Sequence, residues 1–336
     1  MIAHLTRFLL LVQLAVATLC ALGFRHLWPD ISWLFALLLG TMCVLFARAV
    51  ITANNFRLAA GVPCTAGPAV LNIGAALRLY SSELRATLLS SSWTMPFRRP
   101  GIFLAAEPTT LPVLLIHGYG CNGGYWWYLS KRLKAANITH FAVDLEPVLC
   151  GIDTYLPQIT TAIETLQAAT RQRQIVIVAH SMGGLVARAW LRDHPIDCIA
   201  KLITLGTPHS GTALARFGPG ENSRQMLPPT DTGGAPWLTQ LNAASGRAVP
   251  TVSIYSLHDN IIAPRSSSFL PGAKNIALAG IGHVALGSHP AVISIVIEEV
   301  RNAATDGQTP LPSESNGSDL DPAKAVLLAS DGDSGA

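Results

Sequence analysis

The stretch IVIVAHSMGGLVARAWL, Ile175 to Leu191, decides the fold. An apolar, β-branched run ends at Ala179-His180, a serine follows, and two glycines open a segment with helical apolar spacing. This is a strand, a sharp turn and a helix. Ser181, at the turn, has two readings. A serine in front of a helix commonly caps its free N–H groups. A serine between small residues on a strand-to-helix turn is instead the layout of a nucleophile elbow, usually G-x-S-x-G. There the strained backbone crowds the residues two before and two after the serine, so both must be small. Ala179 and Gly183 meet that condition, with alanine in place of the usual first glycine. Gly184 adds room where the helix passes the strand.

The same alternation extends to both sides. PVLLIHG from Pro112, HFAVDLE from His140, IAKLITLGT from Ile199, TVSIYSL from Thr251 and NIALAG from Asn275 read as further strands. GGYWWYLSKRLKAAN, YLPQITTAIETLQAATRQ and AVISIVIEEVRNAA read as helices between or after them. Strands alternating with helices predict an α/β fold, a mostly parallel sheet with helices on both faces.

An elbow serine needs a base and an acid later in the chain, in the order serine, acid, histidine. Asp259 lies in the exit loop of the TVSIYSL strand, and His283 lies in the Gly-rich loop after the next strand. In open α/β sheets, reacting groups gather at the carboxyl ends of strands. His283 is therefore the expected acceptor of the Ser181 proton, with Asp259 orienting its ring. Asp231, Asp197, His258 and His289 fit less well: none combines a preceding strand with the right direction. His180 reads as a packing or hydrogen-bonding residue. Acyl transfer also needs donors for an oxyanion. The backbone N–H of Met182, after the serine, is one; the backbone N–H of Tyr119, in HGYGCNGGYWW after the first core strand, is the other.

Two runs upstream have a different character. Phe8 to Phe24 contains Gln13 as its one strongly polar residue, and Ile31 to Ala47 carries no charge. Each is near the short end of the roughly 17–25 residues that a membrane helix needs. Trp28 and Trp33 fall at one shared boundary, where interfacial aromatics belong. The joining RHLWPD is long enough only for a hairpin. The first run alone resembles a secretory core, but no A-x-A site follows it and a second apolar run does. Arg7 before the pair, and Arg48 and Arg57 after it, outweigh Arg25 in the hairpin. That bias leans the catalytic part toward the cytoplasm, at a bacterial inner membrane.

The domain expectation is thus a transmembrane hairpin at 1–51, a linker at 52–110, an α/β domain at 111–303 and a disordered acidic tail at 304–336. The linker holds one amphipathic segment, Ala69 to Ser91, with an apolar stripe of Leu71, Ala75, Leu79, Leu84 and Leu88. Arg78, Glu83 and Arg85 are placed mostly off that stripe, and the segment is read as a helix docking on the globular part or on the membrane. The composition agrees: of 336 residues, 50% are apolar and 13% charged, against about 25% charged in an average soluble domain. A net charge of +3 is too small to suggest nucleic acid. The six cysteines are scattered, with no zinc-like spacing. A reduced compartment is expected, with a pairing among Cys64, Cys121, Cys150 and Cys198 left open. No metal or cofactor is implied.

LLIHGYG, AHSMGG, LGTPHSGT, SLHDNIIAP and GIGHVAL, in that order, resemble the successive blocks of the lipase/esterase branch of the α/β-hydrolase superfamily. AHSMGG, with alanine first, is similar to certain bacterial lipases. The resemblance covers about Pro112 to Ala303 and starts directly at the strand carrying the oxyanion loop. It implies a cap over 213–249, with Met226, Leu227, Trp237 and Leu238 lining an acyl site or packing on the core. The implied activity is a membrane-anchored serine ester hydrolase acting on lipid-like esters. The alternatives are an acyltransferase or a (thio)esterase on acylated proteins with the same residues, and, with less support, an amidase or a non-catalytic scaffold.

Overall fold

In the computed structural model, which describes residues 1–64, 70–99, 101–229, 236–244 and 249–306, Ile175–His180 is a strand with every residue buried. It sits at the centre of one seven-stranded sheet. The strands are β1 (Ile102–Phe103), β2 (Val113–Ile116), β3 (His140–Val143), β4 (Ile175–His180), β5 (Ile199–Leu205), β6 (Thr251–Ser256) and β7 (Lys274–Leu278). Their order is β1-β3-β2-β4-β5-β6-β7. All neighbours run parallel except β1 and β3. The helices in chain order are α1 (Ile2–Leu27), α2 (Trp33–Ala60), α3 (Ile73–Leu89), α4 (Met95–Phe97), α5 (Trp127–Ala135), α6 (Leu156–Thr170), α7 (Met182–Asp193), α8 (Glu221–Gln225), α9 (Pro236–Ala243) and α10 (Pro290–Asp306).

The near-continuous apolar runs of the central strands follow from burial on both faces. Side chains alternate along a strand, so Ile175, Ile177 and Ala179 of β4 enter one core with Ile159, Ile163, Leu185 and Val186 of α6 and α7. Val176 and Val178 enter the other with Leu129 and Leu133 of α5 and Val292 and Val296 of α10. Each fully buried aliphatic side chain contributes about 1.5–3 kcal/mol of transfer free energy. Two such layers hold the carboxyl ends of the strands rigidly along one edge.

The expected hairpin is present, but its helices outrun the apolar stretches. α2 continues through Asn54, Asn55 and Arg57 to Ala60. Both helices are long and apolar enough to cross a membrane, and 17% and 11% of their most apolar windows are buried in the chain. Phe8, Leu11, Leu14, Leu19, Leu34, Leu38 and Phe46 all face outward. The pair packs through small residues: a Cβ on Gly40 would collide with the carbonyl oxygen of Ala17. The second turn of α1 rests on α4, where Arg7 Nε donates to the Pro96 carbonyl at 2.9 Å.

α3 realises the amphipathic segment, capped by Asn72, whose Oδ1 accepts the Ala75 N–H at 2.8 Å. Leu79 on the expected stripe is buried, and Arg78 and Arg85 are exposed. Glu83 differs from expectation: it is fully buried. Upstream of the oxyanion strand the structure adds β1, which pairs with β3 through Ile102 and Phe103. In the cap segment Met226 and Leu238 are buried, and Leu227 and Trp237 pack against the same core as α6 and α7. Trp237 Nε1 also donates to Asp153 Oδ2 at 2.8 Å. Those side chains therefore serve packing. Asp231 and residues 307–336 of the expected tail lie outside the described residues.

Candidate active site

Ser181 stands between β4 and α7 with φ 54° and ψ −126°. Positive φ is costly for a residue with a Cβ. Its backbone N–H donates to Leu205 O at 2.9 Å, and its carbonyl accepts the Gly184 N–H at 3.0 Å. The side chain caps no N–H group of α7. The crowding expected around such a turn is present. A Cβ on Gly183 would meet the carbonyl oxygens of Ile116 and His117 at 2.5 Å. A Cβ on Gly184 would collide with Thr207, in the loop after β5.

The structure brings Asp259 and His283 together. His283 Nδ1 donates to Asp259 Oδ2 at 2.8 Å, with both residues buried. Asp259 Oδ1 accepts the N–H groups of Ile261 at 2.8 Å and Ile262 at 2.7 Å, which fixes the carboxylate. The His283 N–H donates to Asn260 Oδ1 at 2.9 Å. With Nδ1 committed, Nε2 is the nitrogen left for chemistry. Burial works against a charge on His283, but the charge and hydrogen bond of Asp259, with Glu83 adding to them, outweigh it and raise the pKa above 6.5. His180 stacks on Tyr125 at 4.3 Å and meets the His283 ring at a 45° tilt at 4.6 Å, ring centre to ring centre. Its Nε2 lies 3.2 Å from the His283 carbonyl. Burial, and then His283, hold His180 well below 6.5, so it is a neutral prop.

Tyr119 and Met182 flank the turn from different elements. Met182 begins α7, where the first N–H groups lack intrahelical acceptors. Tyr119 follows β2 in a loop held close to the serine: a Cβ on Gly118 would sit 2.8 Å from the Ser181 Cβ. Gly120 supplies the positive φ, 65°, that turns the chain away. The His117 ring locks this loop to the exit of β3. Its Nε2 accepts the Leu145 N–H at 3.0 Å, and its Nδ1 donates to Gly118 O at 2.9 Å. The Tyr119 hydroxyl donates to Pro219 O at 2.6 Å, tying the loop to the segment before α8.

Three contributors escaped the sequence reading. Gly206, with φ 55°, leaves space beside the histidine–carboxylate pair: a Cβ there would lie 3.2 Å from His283 Nδ1 and 3.4 Å from Asp259 Oδ2. A glycine ending a strand inside the LGTP block was the available signal. Asn260 and His117 act through backbone groups, which a residue pattern does not display. The rival His258 turns away: its Nδ1 accepts the Gly280 N–H at 3.1 Å. His289 sits at the start of α10, where its N–H donates to Ala285 O at 2.8 Å.

Comparison with known proteins finds relatives of this fold. Residues 107–218 match the family model described as the PGAP1-like alpha/beta domain. A triacylglycerol lipase of Burkholderia plantarii is 28% identical over 140 residues, 35% of this chain and 37% of that protein. The match thus spans little more than a third of that lipase. Lipase B of Pseudozyma antarctica is 28% identical over 263 residues, 67% of this chain and 75% of that one. Among solved structures, a mature Bacillus licheniformis lipase superposes with a TM-score of 0.52 at 13% identity, over 60% of this chain and 98% of that chain.

Proposed function

From the premise of an α/β-hydrolase fold shared with lipases and esterases, we propose that the chain is a membrane-anchored serine ester hydrolase acting on lipid-like carboxylic esters. The observation that carries this reading is Ser181 itself, a non-glycine residue at φ 54° whose hydroxyl caps nothing. Such strain persists where the fold over-determines it and function uses it. In the reaction, Ser181 Oγ attacks the ester carbonyl carbon while its proton passes to His283 Nε2. The N–H groups of Tyr119 and Met182 receive the charge on the carbonyl oxygen. His283 returns the proton to the departing alkoxide, leaving an acyl-enzyme. Water, deprotonated by His283, then attacks the acyl carbon, and the acid leaves as Ser181 recovers its proton. Asp259 stabilises the imidazolium in both halves through the 2.8 Å bond to Nδ1.

The two apolar helices support an anchor, and their outward Phe and Leu side chains suit lipid. A hairpin returns both of its ends to one side, in keeping with the contact from the start of α1 to α4. The excess of Arg7, Arg48 and Arg57 over Arg25 favours the cytoplasmic side for that part. The direct test is hydrolysis of a chain-length series of nitrophenyl esters by the full chain in detergent. Ser181→Ala or His283→Ala should lower kcat on the order of 10⁶-fold, and Asp259→Asn about 10⁴-fold. Wild-type rates from Ser181→Ala would end this reading.

A further inference from the structure

Glu83 is the one residue of α3 that reaches the loop of the histidine with its charge. It is fully buried, on a helix that precedes the sheet in the chain and packs Ala86 against the core of α5 and α10. Its Oε1 accepts the Val284 N–H at 3.0 Å, and its Oε2 accepts the Ala285 N–H at 2.9 Å. On the other side of His283, a Cβ at Gly282 would collide with the same carboxylate. The carboxylate therefore touches the chain both before and after His283. Docking α3 needs no such group; a leucine would bury area without the several kcal/mol that desolvating a carboxylate costs. Burial pushes the Glu83 pKa up, and the N–H groups of Val284 and Ala285, with His283, pull against that rise.

We propose that Glu83 is a positioning residue for His283: its carboxylate clamps the two N–H groups that follow the imidazole and fixes the loop from which the base works. The inference rests on His283 acting as the general base. The loop needs such a clamp because Gly280, at φ 74°, and Gly282 give it little stiffness of its own. Asn260 holds the His283 N–H at 2.9 Å from one side, and Glu83 holds the next two from the other. Between them, three successive N–H groups of the chain that carries the ring are held. Placement errors of about 1 Å cost on the order of 100-fold in rate.

The clamp also joins the membrane helices to the chemistry. α3 is fixed to α2 by the Tyr80 hydroxyl, which donates to Ala49 O at 2.8 Å. Just beyond α3, Ser92 Oγ accepts from Arg48 at 2.7 Å, and Arg48 also reaches Gln13 of α1 at 3.3 Å. A continuous set of contacts thus runs from the hairpin through Glu83 to the loop of the base. The amino-terminal region completes the site as well as tethering it.

The test uses the full chain in detergent micelles with a nitrophenyl ester. Glu83→Gln should lower kcat by roughly 10- to 100-fold with KM within twofold. The acid limb of kcat/KM should also move to lower pH, because removing a negative charge beside His283 makes its imidazole easier to deprotonate. The ionisable groups facing Glu83 are His283, Asp259 and Tyr125; those facing His283 are Asp259, Glu83 and His180. Glu83→Asp retains the charge on a shorter arm, so it should restore the acid limb while kcat stays low. Leu79→Ala, on the same helix, should lower the melting temperature and leave the acid limb in place. A Glu83→Gln enzyme with wild-type kcat and an unmoved acid limb overturns the proposal and leaves the hydrolase reading intact. An inactive, folded wild type overturns that reading, and this one with it.

Discussion

A serine that caps a helix accepts, through its hydroxyl, an N–H group two or three residues ahead of it, in an extended backbone conformation. At Ser181 the backbone is at φ 54° and ψ −126°, and the hydroxyl makes no cap. Ala179 serves where glycine is usual because the geometry asks for a small side chain there, whereas at Gly183 a Cβ would meet two carbonyl oxygens at 2.5 Å. The histidine–carboxylate pair was legible because each partner ends a recognisable strand. Glu83 was not, because its partners lie two hundred residues away and a charged residue on an amphipathic helix is read as solvent-facing. The electrostatics at His283 give a signed prediction. A histidine must be neutral to accept a proton, and Asp259 and Glu83 raise the His283 pKa above 6.5 against the pull of burial. Activity should therefore fall as pH drops through a midpoint above 6.5. A kcat/KM profile measured from pH 5 to 9 checks this, and an acid limb centred well below that value would contradict it.

Among the elements, the strand–helix alternation from β2 onward was readable because burial on both faces leaves continuous apolar runs. β1 was not, since two residues carry no period. Nor was the full length of α2, because its last turns through Asn54, Asn55 and Arg57 leave the apolar run and are held by packing, with Phe56 against Tyr80 of α3 and Ala59 buried. The last helix shows how such elements are locked together. Glu299 of α10 accepts from buried Lys201 of β5 at 3.2 Å and from Lys274 of β7 at 2.6 Å. Removing the carboxylate takes one charged hydrogen-bond partner from buried Lys201, so Glu299→Ala should lower stability by about 1.5–3 kcal/mol. Urea unfolding of the full chain in detergent measures this. A change below about 1 kcal/mol would show that the pair is solvated in the folded state.

For the whole molecule, a seven-stranded α/β sheet is joined to a pair of apolar helices and a third helix that reaches from them to the loop of His283. Composition made the two apolar helices legible, and their packing through Gly40 and Ala17 was not, because a small residue in an apolar run carries no partner information. The full chain should sediment with membranes and resist high salt and alkaline carbonate, leaving them only with detergent. Reporter fusions in the hairpin and after Arg57 should place the hairpin on the far side and the catalytic part in the cytoplasm. Release by carbonate alone would remove the anchor from the account.

The central claim is that Ser181 is the nucleophile, and labelling by a fluorophosphonate tests it most directly. Full-length protein in detergent, treated with the probe and digested, should carry one adduct, on the peptide containing Ser181. Ser181→Ala should carry none, and His283→Ala should label far more slowly. A folded wild type that stays unlabelled, or a Ser181→Ala variant that still labels, would contradict the claim.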